Sequence, residues 1–243
     1  MIAVHFIRIR TNRTTAGSGS ELSWTAVDPD YITDYKEAAD SGSNWIIDAK
    51  AGVARLDRTT GGIAGFTVPL KPMLGCVGVA PGPTNRPETR ATSYPGTWGG
   101  NLDYNRLAEG ATVYLPVAVA GAFLFVGDGH AAQGDGELTG SGLETSMNVE
   151  FSVELIRSKQ LGFPRIEDAN DIMSVGVGGS LDDAFKFATT GLAQWLETEY
   201  KLTRSEAAMI LGAAAQLDIG EVVDRDYSVV ARFPKRLLLQ LKR

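Results

Sequence analysis

The chain has 243 residues, of which 44% are hydrophobic and 21% are charged. This composition is typical of a folded globular protein with one large domain or two modest ones, and it excludes disordered and fibrous classes. The 29 acidic and 23 basic residues give a net charge of −6. We therefore expect no sequence-wide attraction to nucleic acid or to anionic membranes.

Membrane spans and disulfides are also not expected. No segment reaches the roughly 18 uninterrupted apolar residues of a membrane helix; the nearest, residues 113–126, is interrupted by Pro116 and Gly121. We therefore predict a soluble protein. The single cysteine, Cys76, cannot form an internal disulfide or a cysteine-rich metal site, and its apolar neighbours favour a buried structural role.

The chain begins directly in a strand-like run, residues 1–10, without a signal peptide. We expect a cytoplasmic protein by default, or a periplasmic or secreted one if an upstream signal segment was lost. Residues 11–45 are polar and predict a long surface excursion pinned by aromatic side chains. Short apolar runs punctuated by glycine and proline then predict β-structure between residues 45 and 126.

Alternating apolar and polar residues predict a further strand at 147–155. After residue 165 the pattern becomes helical: one helix opens at Ser180, and a second opens at the capping box Thr203–Glu206 and runs to about Leu217. Two strands, 219–223 and 227–233, flank a charged turn at 224–226.

The glycine-rich segment before the first of these helices, Gly176–Leu181, lacks the third glycine of a dinucleotide-binding fingerprint and has no βαβ context. The predicted fold class is α+β. Residues 1–150 would form a β-rich body, barrel- or sandwich-like. Residues 151–243 would form a smaller α+β unit with two helices.

Residues 127–137, Gly-Asp-Gly-His-Ala-Ala-Gln-Gly-Asp-Gly-Glu, contain the highest concentration of chemically functional side chains in the chain. This segment is called the glycine–acid run. Its glycines predict tight turns. Asp128 and His130 are separated by one residue, as are Asp135 and Glu137, so locally extended backbone would point each pair to one side. Carboxylate and imidazole ligands suit zinc or a harder divalent ion, which can activate water toward a carbonyl group.

The alternative is a surface turn with solvated carboxylates and an exposed His130. The run matches no standard zinc spacing and is too short for an EF-hand loop. One imidazole is also a poor basis for catalytic zinc, so a further ligand would have to come from elsewhere. The other histidine, His5, lies within the first predicted strand and is interpreted as structural.

A second polar concentration is the segment Gly99–Asp103. Asn101 could donate a hydrogen bond to a developing oxyanion, and Asp103 could orient a ligand or an amide group. A plain turn explains the segment equally well.

Several segments, in this order and spacing, resemble the acetamidase/formamidase family over roughly residues 65–240. These are Gly75–Pro81, Gly99–Asp103, Tyr114–Val117, the glycine–acid run and, near the C-terminus, residues 215–224 and 232–235.

The resemblance implies a divalent metal, often zinc, and hydrolysis of short-chain amides to a carboxylic acid and ammonia. It implies functional positions at Asn101 and Asp103 and in the glycine–acid run. We predict Asp128, His130 and Asp135 as metal ligands. We predict Glu137 as general base and then acid, with Asn101 at the oxyanion and Asp103 beside it.

Three further expectations accompany this hypothesis. Opening of a γ-lactam is an alternative within the same chemistry. Members of the family have a considerable segment before the region of resemblance, so a non-catalytic, truncated member is a second alternative. The expected partner is a small amide, and an exposed β-edge would favour a homo-oligomer.

Overall fold

The structure is a computed structural model, and it describes residues 1–33, 42–82, 91–157 and 159–241. The helices in these ranges are α1 Pro29–Thr33, α2 Leu181–Glu199, α3 Arg204–Ala214 and α4 Lys235–Leu238. The strands are β1 Ile2–Thr11, β2 Thr15–Ser18, β3 Ser43–Asp48, β4 Val53–Leu56, β5 Thr67–Pro69, β6 Met73–Gly78, β7 Gly99–Asn101, β8 Thr112–Leu115, β9 Phe125–His130, β10 Met147–Leu155, β11 Arg165–Glu167, β12 Asp171–Gly178, β13 Gln216–Glu221 and β14 Tyr227–Pro234.

These strands form three sheets. The largest has the order β10-β1-β8-β11-β12-β14-β13, and the other two are β2-β3-β4-β5 and β7-β6-β9. The neighbouring strands in all three sheets pair antiparallel. The large sheet takes strands from both sides of residue 150, and the division into units at that position stays a prediction.

The main core lies between the large sheet and the three-stranded sheet. Val4, Phe6 and Val113 of the large sheet belong to the same buried cluster as Leu74 and Val77 of β6. Burying one apolar face of each sheet against the other holds the three-stranded sheet in place. This packing matters for function because β7 and β9 carry three of the six candidate site residues, Asn101, Asp128 and His130.

A second core forms where α2 packs across β12 and β14. Ala184, Ala188 and Leu192 of α2 contribute to it together with Ile172 on β12. Gly176 allows the close approach, because a Cβ at that position would lie 2.0 Å from the carbonyl oxygen of Ala184. The glycines before α2 therefore serve helix packing, consistent with the absence of a dinucleotide fingerprint.

The predicted fold class, α+β with a β-rich body, is confirmed. The capping box at Thr203 and Glu206 is also present. The second helix ends at Ala214 and not near Leu217, because Gln216 and Leu217 instead pair with β14.

The predicted surface excursion at 11–45 contains β2 and the start of β3, and its residues 34–41 lie outside the described ranges. The charged turn at 224–226 lies between β13 and β14, as predicted. Among the described helices, none combines the length and apolarity needed to cross a membrane. The edge strand β10 exposes Val153 and Leu155, and association into oligomers stays a prediction.

Candidate active site

The three-stranded sheet brings the two polar segments of the sequence together. Its central strand, β6, is buried along its whole length. Asn101 at the end of β7 pairs with Cys76 of β6, and His130 at the end of β9 pairs with Met73. The prediction of tight turns throughout the glycine–acid run was wrong for its first four residues, which form the end of β9. The ladder with β6 pairs Gly127, Gly129 and His130, whereas Asp128 between them has a positive φ of 62°.

Three of the predicted acids have strained backbone. Asp103, Asp128 and Glu137 have φ angles of 41°, 62° and 51°. Residues with a Cβ rarely adopt positive φ, at a typical cost of about 1–3 kcal/mol, and such strain persists where the surrounding structure imposes it. Six non-glycine residues in the described ranges have positive φ, so half of them belong to this site. This concentration is typical of a functional site.

Gly75 of β6 lies beside the carboxyl groups of two of these acids. A Cβ at Gly75 would lie 2.2 Å from Asp103 Oδ1 and 2.5 Å from Asp128 Oδ2. Real Cβ atoms do not approach other heavy atoms this closely, so the position requires glycine while both carboxyl groups stay in place. The glycine therefore lets the two carboxyl groups converge.

His130 is the centre of the cluster and is 1% exposed. Its Nε2 lies 3.2 Å from Asp128 Oδ1 and 3.0 Å from Glu144 Oε1. Its Nδ1 lies 2.7 Å from Gln133 Oε1 and 3.9 Å from Glu137 Oε1. Burial alone would lower the pKa of His130, but the hydrogen bonds with Asp128 and Glu144 outweigh it and raise the pKa to about 11. The alternative of an exposed, solvated histidine is therefore wrong.

Three further acids of this region, Asp103, Glu137 and Glu221, are buried. Burial is the main cause that raises the pKa of Asp103 to about 9, of Glu137 to about 8 and of Glu221 to about 7. Asp103 Oδ1 and Glu221 Oε1 are buried without a hydrogen-bond donor in the described part of the chain. A protonated carboxyl satisfies such an oxygen better than an ionised one, because it becomes a donor itself.

Asn101 and Asp135 make contacts that their predicted roles do not include. The Asn101 amide donates to Asp103 Oδ2 at 2.6 Å and to Asp224 Oδ2 at 3.0 Å, so both of its hydrogens already point to carboxylates. Asp135 is exposed and accepts a hydrogen bond from Asn105 at 2.6 Å. The structure does not bring Asp135 to His130, and both assigned roles stay predictions.

Sequence reasoning missed Glu144, Gln133 and Gly75. Glu144 forms isolated β-bridges with Gly17 and with His130, and no local motif around Glu144 indicates this tertiary pairing. Gln133 lies within the glycine–acid run, where the nearby acids drew the interpretation instead.

Among the residues that the structure describes, two groups of side chains could hold a metal ion. They are Asp103–His130–Glu137 and Asp128–His130–Glu144, with the ligand atoms of each group within 4.8 Å of one another. They share His130, whose Nε2 faces Asp128 and Glu144 and whose Nδ1 lies 3.9 Å from Glu137. The first group is fully buried.

The second group opens onto a cleft of about 720 Å³, whose wall includes Asp128 and Glu144. Apolar side chains form part of the cleft wall, namely Leu74, Val126, Met147 and Val149. Polar side chains, among them Arg13, Asn44 and Ser146, form another part. The Asp128–Glu144 side of His130 therefore faces the space in which a small ligand could bind.

Comparison with known proteins gives a consistent family likeness. The profile of the Acetamidase/Formamidase family matches residues 86–167. The formamidase of Methylophilus methylotrophus is 41% identical over 71 residues, which are 29% of this chain and 17% of that protein. An acetamidase from Yersinia enterocolitica superposes with a TM-score of 0.84 at 28% identity, over 98% of this chain and 70% of that chain.

A gamma lactamase from Delftia acidovorans superposes with a TM-score of 0.52 at 19% identity, over 97% of this chain and 72% of that chain, which shows a shared fold alone. Fold and site together define a β-rich α+β protein with a carboxylate–imidazole centre at a cleft. These similarities support the acetamidase/formamidase family for this chain. The sequence match covers less than a fifth of the curated formamidase.

Proposed function

We propose that this chain is a metal-dependent amidase that hydrolyses small linear amides, such as formamide and acetamide, to a carboxylic acid and ammonia. One observation carries the proposal: the buried imidazole of His130 faces two carboxylates, Asp128 and Glu144, at the wall of a cleft. The similarity to a formamidase and to a solved acetamidase supports the choice of substrate class.

The residues present fit a divalent cation. Zinc takes imidazole and carboxylate ligands with bonds of about 2.0 Å, which places neighbouring ligand atoms of a tetrahedral site about 3.3 Å apart. The distances from His130 Nε2 to Asp128 and Glu144, 3.2 and 3.0 Å, are similar. In this proposal Asp128, His130 and Glu144 hold the cation, and three protein ligands leave a position open to the cleft. When bound, a divalent cation supplies Lewis acidity toward the substrate carbonyl.

The two acids beside Gly75 would transfer a proton to the leaving nitrogen. Asp103 holds a proton because burial, the largest cause, raises its pKa to about 9. Its Oδ1 faces Asp128 across Gly75, so it can pass the proton to the acid that lines the cleft. From Asp128 the proton can reach the nitrogen that departs as ammonia, and the proton that the attacking water releases returns to Asp103 by the same route, so that one amide and one water give one carboxylic acid and one ammonia.

Glu137 does not line the cleft and lies 3.9 Å from His130 Nδ1. We therefore assign the proton donor to the Asp103–Asp128 pair.

Ammonia release from the purified chain tests the proposal. The protein would be stripped with a chelator, reloaded with zinc, and assayed with formamide, acetamide and a γ-lactam, beside Asp128→Asn as the matched variant. We expect zinc-dependent ammonia release from the linear amides and its loss in the variant. Lactam opening without ammonia release would instead assign the cyclic substrate. Folded, metal-loaded protein that turns over none of these compounds would indicate a non-catalytic member.

A further inference from the structure

We infer that Gln133 is a positioning residue that determines which ring nitrogen of His130 is available to a cation. The inference rests on the proposed function, because it concerns the same candidate metal site. It uses contacts that neither the sequence resemblance nor the comparisons assign to any role.

The orientation of the Gln133 amide is fixed by its neighbours. Its Nε2 donates to the backbone carbonyl of Asp103 and, at 3.4 Å, to that of Gly220. Carbonyl oxygens only accept hydrogen bonds, so the amide nitrogen must be the atom on that side. Oε1 therefore points the other way, toward His130 Nδ1 at 2.7 Å.

This orientation determines the tautomer of His130. An amide oxygen can only accept, so Nδ1 must carry the hydrogen, and a neutral ring then has its lone pair on Nε2. Nε2 is the nitrogen that faces Asp128 and Glu144 at the cleft. Of the two groups that share His130, only the one at the cleft receives a free imidazole lone pair.

The ring has little freedom to escape this arrangement. Gly142 packs against it, and a Cβ at that position would lie 2.5 Å from Nδ1. Gln133 also connects the strained backbone of Asp103 to Gly220 on β13. A hydrogen-bond partner on the second ring nitrogen typically changes metal affinity by roughly 10–100-fold when it is lost.

The experiment uses the intact chain with nitrogen-labelled histidine, loaded with an NMR-active cadmium isotope. The chain has two histidines, so the spectra are simple to assign with a His5→Gln reference. We expect cadmium coupling at His130 Nε2 and a hydrogen on Nδ1. In Gln133→Met we expect cadmium binding to weaken roughly 10–100-fold by chelator competition, with loss of the single coupling pattern.

Two variants separate positioning from general damage. Gln133→Glu keeps an acceptor opposite Nδ1 and should retain the Nε2 coupling. Asn105→Ala removes an amide that contacts Asp135 on the same run and should leave cadmium affinity unchanged.

Cadmium coupling at Nδ1 in the wild type would overturn this inference and leave the proposed amidase standing. Unchanged affinity and coupling in a folded Gln133→Met would do the same. If the wild type bound no cadmium, the proposed metal site would fail and this inference with it. If Gln133→Met does not fold, the coupling in the wild type and in Gln133→Glu decides.

Discussion

Asp103 and Asp128 direct carboxylate oxygens toward the same point beside Gly75, yet their environments shift their pKa values in opposite directions. Burial raises the pKa of Asp103 to about 9. The hydrogen bond with His130 lowers the pKa of Asp128 below its usual value. Neighbouring acids held in different protonation states are the arrangement that acid–base chemistry at neutral pH requires.

Gly75→Ala should disrupt this pair. The new Cβ would fall 2.2 Å from Asp103 Oδ1, so one carboxyl group must move. We expect a loss of about 1–3 kcal/mol in the free energy of unfolding, measured by urea denaturation, and weaker zinc binding. Gly62→Ala is the control, because a Cβ there meets nothing within 4 Å. Equal stability of the two variants would show that the acids are not confined as described.

Removing either cleft carboxylate should weaken metal binding. Asp128→Asn and Glu144→Gln each eliminate a proposed ligand, so the loss of zinc affinity should exceed the roughly 10–100-fold typical of outer contacts. Chelator competition measures this loss. Glu150→Gln, at an exposed acid on β10 that pairs with Arg8, should leave the affinity unchanged. If Glu144→Gln behaved like this control, Glu144 would not be a ligand.

In its metal-free form, the protein should lose stability as the pH rises. Asp103, Glu137 and Glu221 have folded-state pKa values of about 9, 8 and 7, above the ordinary values of these side chains. The folded state therefore keeps protons that the unfolded state releases, and raising the pH above about 4.5 favours unfolding. His130 acts in the same direction, because its folded pKa of about 11 exceeds 6.5.

We expect the free energy of unfolding in the presence of chelator to fall between about pH 6 and pH 9. Urea denaturation at several pH values measures the slope. Glu221→Gln should make this slope shallower, because the variant lacks one of the carboxyl groups that release a proton on unfolding. A free energy that stays level or rises across this range would contradict the assignment of these acids.

Asn101→Ala should reduce stability more than it reduces chemistry. The variant removes a donor from the buried carboxyl group of Asp103, at a cost of about 1–3 kcal/mol in the free energy of unfolding. Asn12→Ala, which removes an exposed amide bonded to Asn148, should cost less than about 0.5 kcal/mol. A stable Asn101→Ala protein that loses ammonia release by roughly 100–1000-fold would instead support the oxyanion role.

Many elements of the fold can be predicted from local sequence patterns. Period-two alternation predicts β10, and the capping box at Thr203 predicts the start of α3, because both signals involve neighbours in the chain. The end of α3 is missed since pairing of Gln216 with Arg232 on β14 outcompetes helix continuation. Sheet order depends on such distant partners and has no local signature.

The candidate site likewise contains residues that local sequence predicts and residues that only the tertiary fold brings together. Asp128 and His130 are predictable because strand geometry points residues two apart to one side. Asp135 and Glu137 follow the same spacing, but the backbone turns after β9 and leaves Asp135 exposed. Glu144 reaches His130 through bridges that depend on the tertiary fold.

The most direct test is ammonia release from acetamide as chelated protein is titrated with zinc, for the wild type and for Glu144→Gln. We expect that activity in the wild type rises until the cleft site is filled and then stays constant. We expect that Glu144→Gln needs far more zinc or stays inactive. Undiminished ammonia release from the metal-free wild type, or identical zinc dependence in the two proteins, would contradict the proposed metal site.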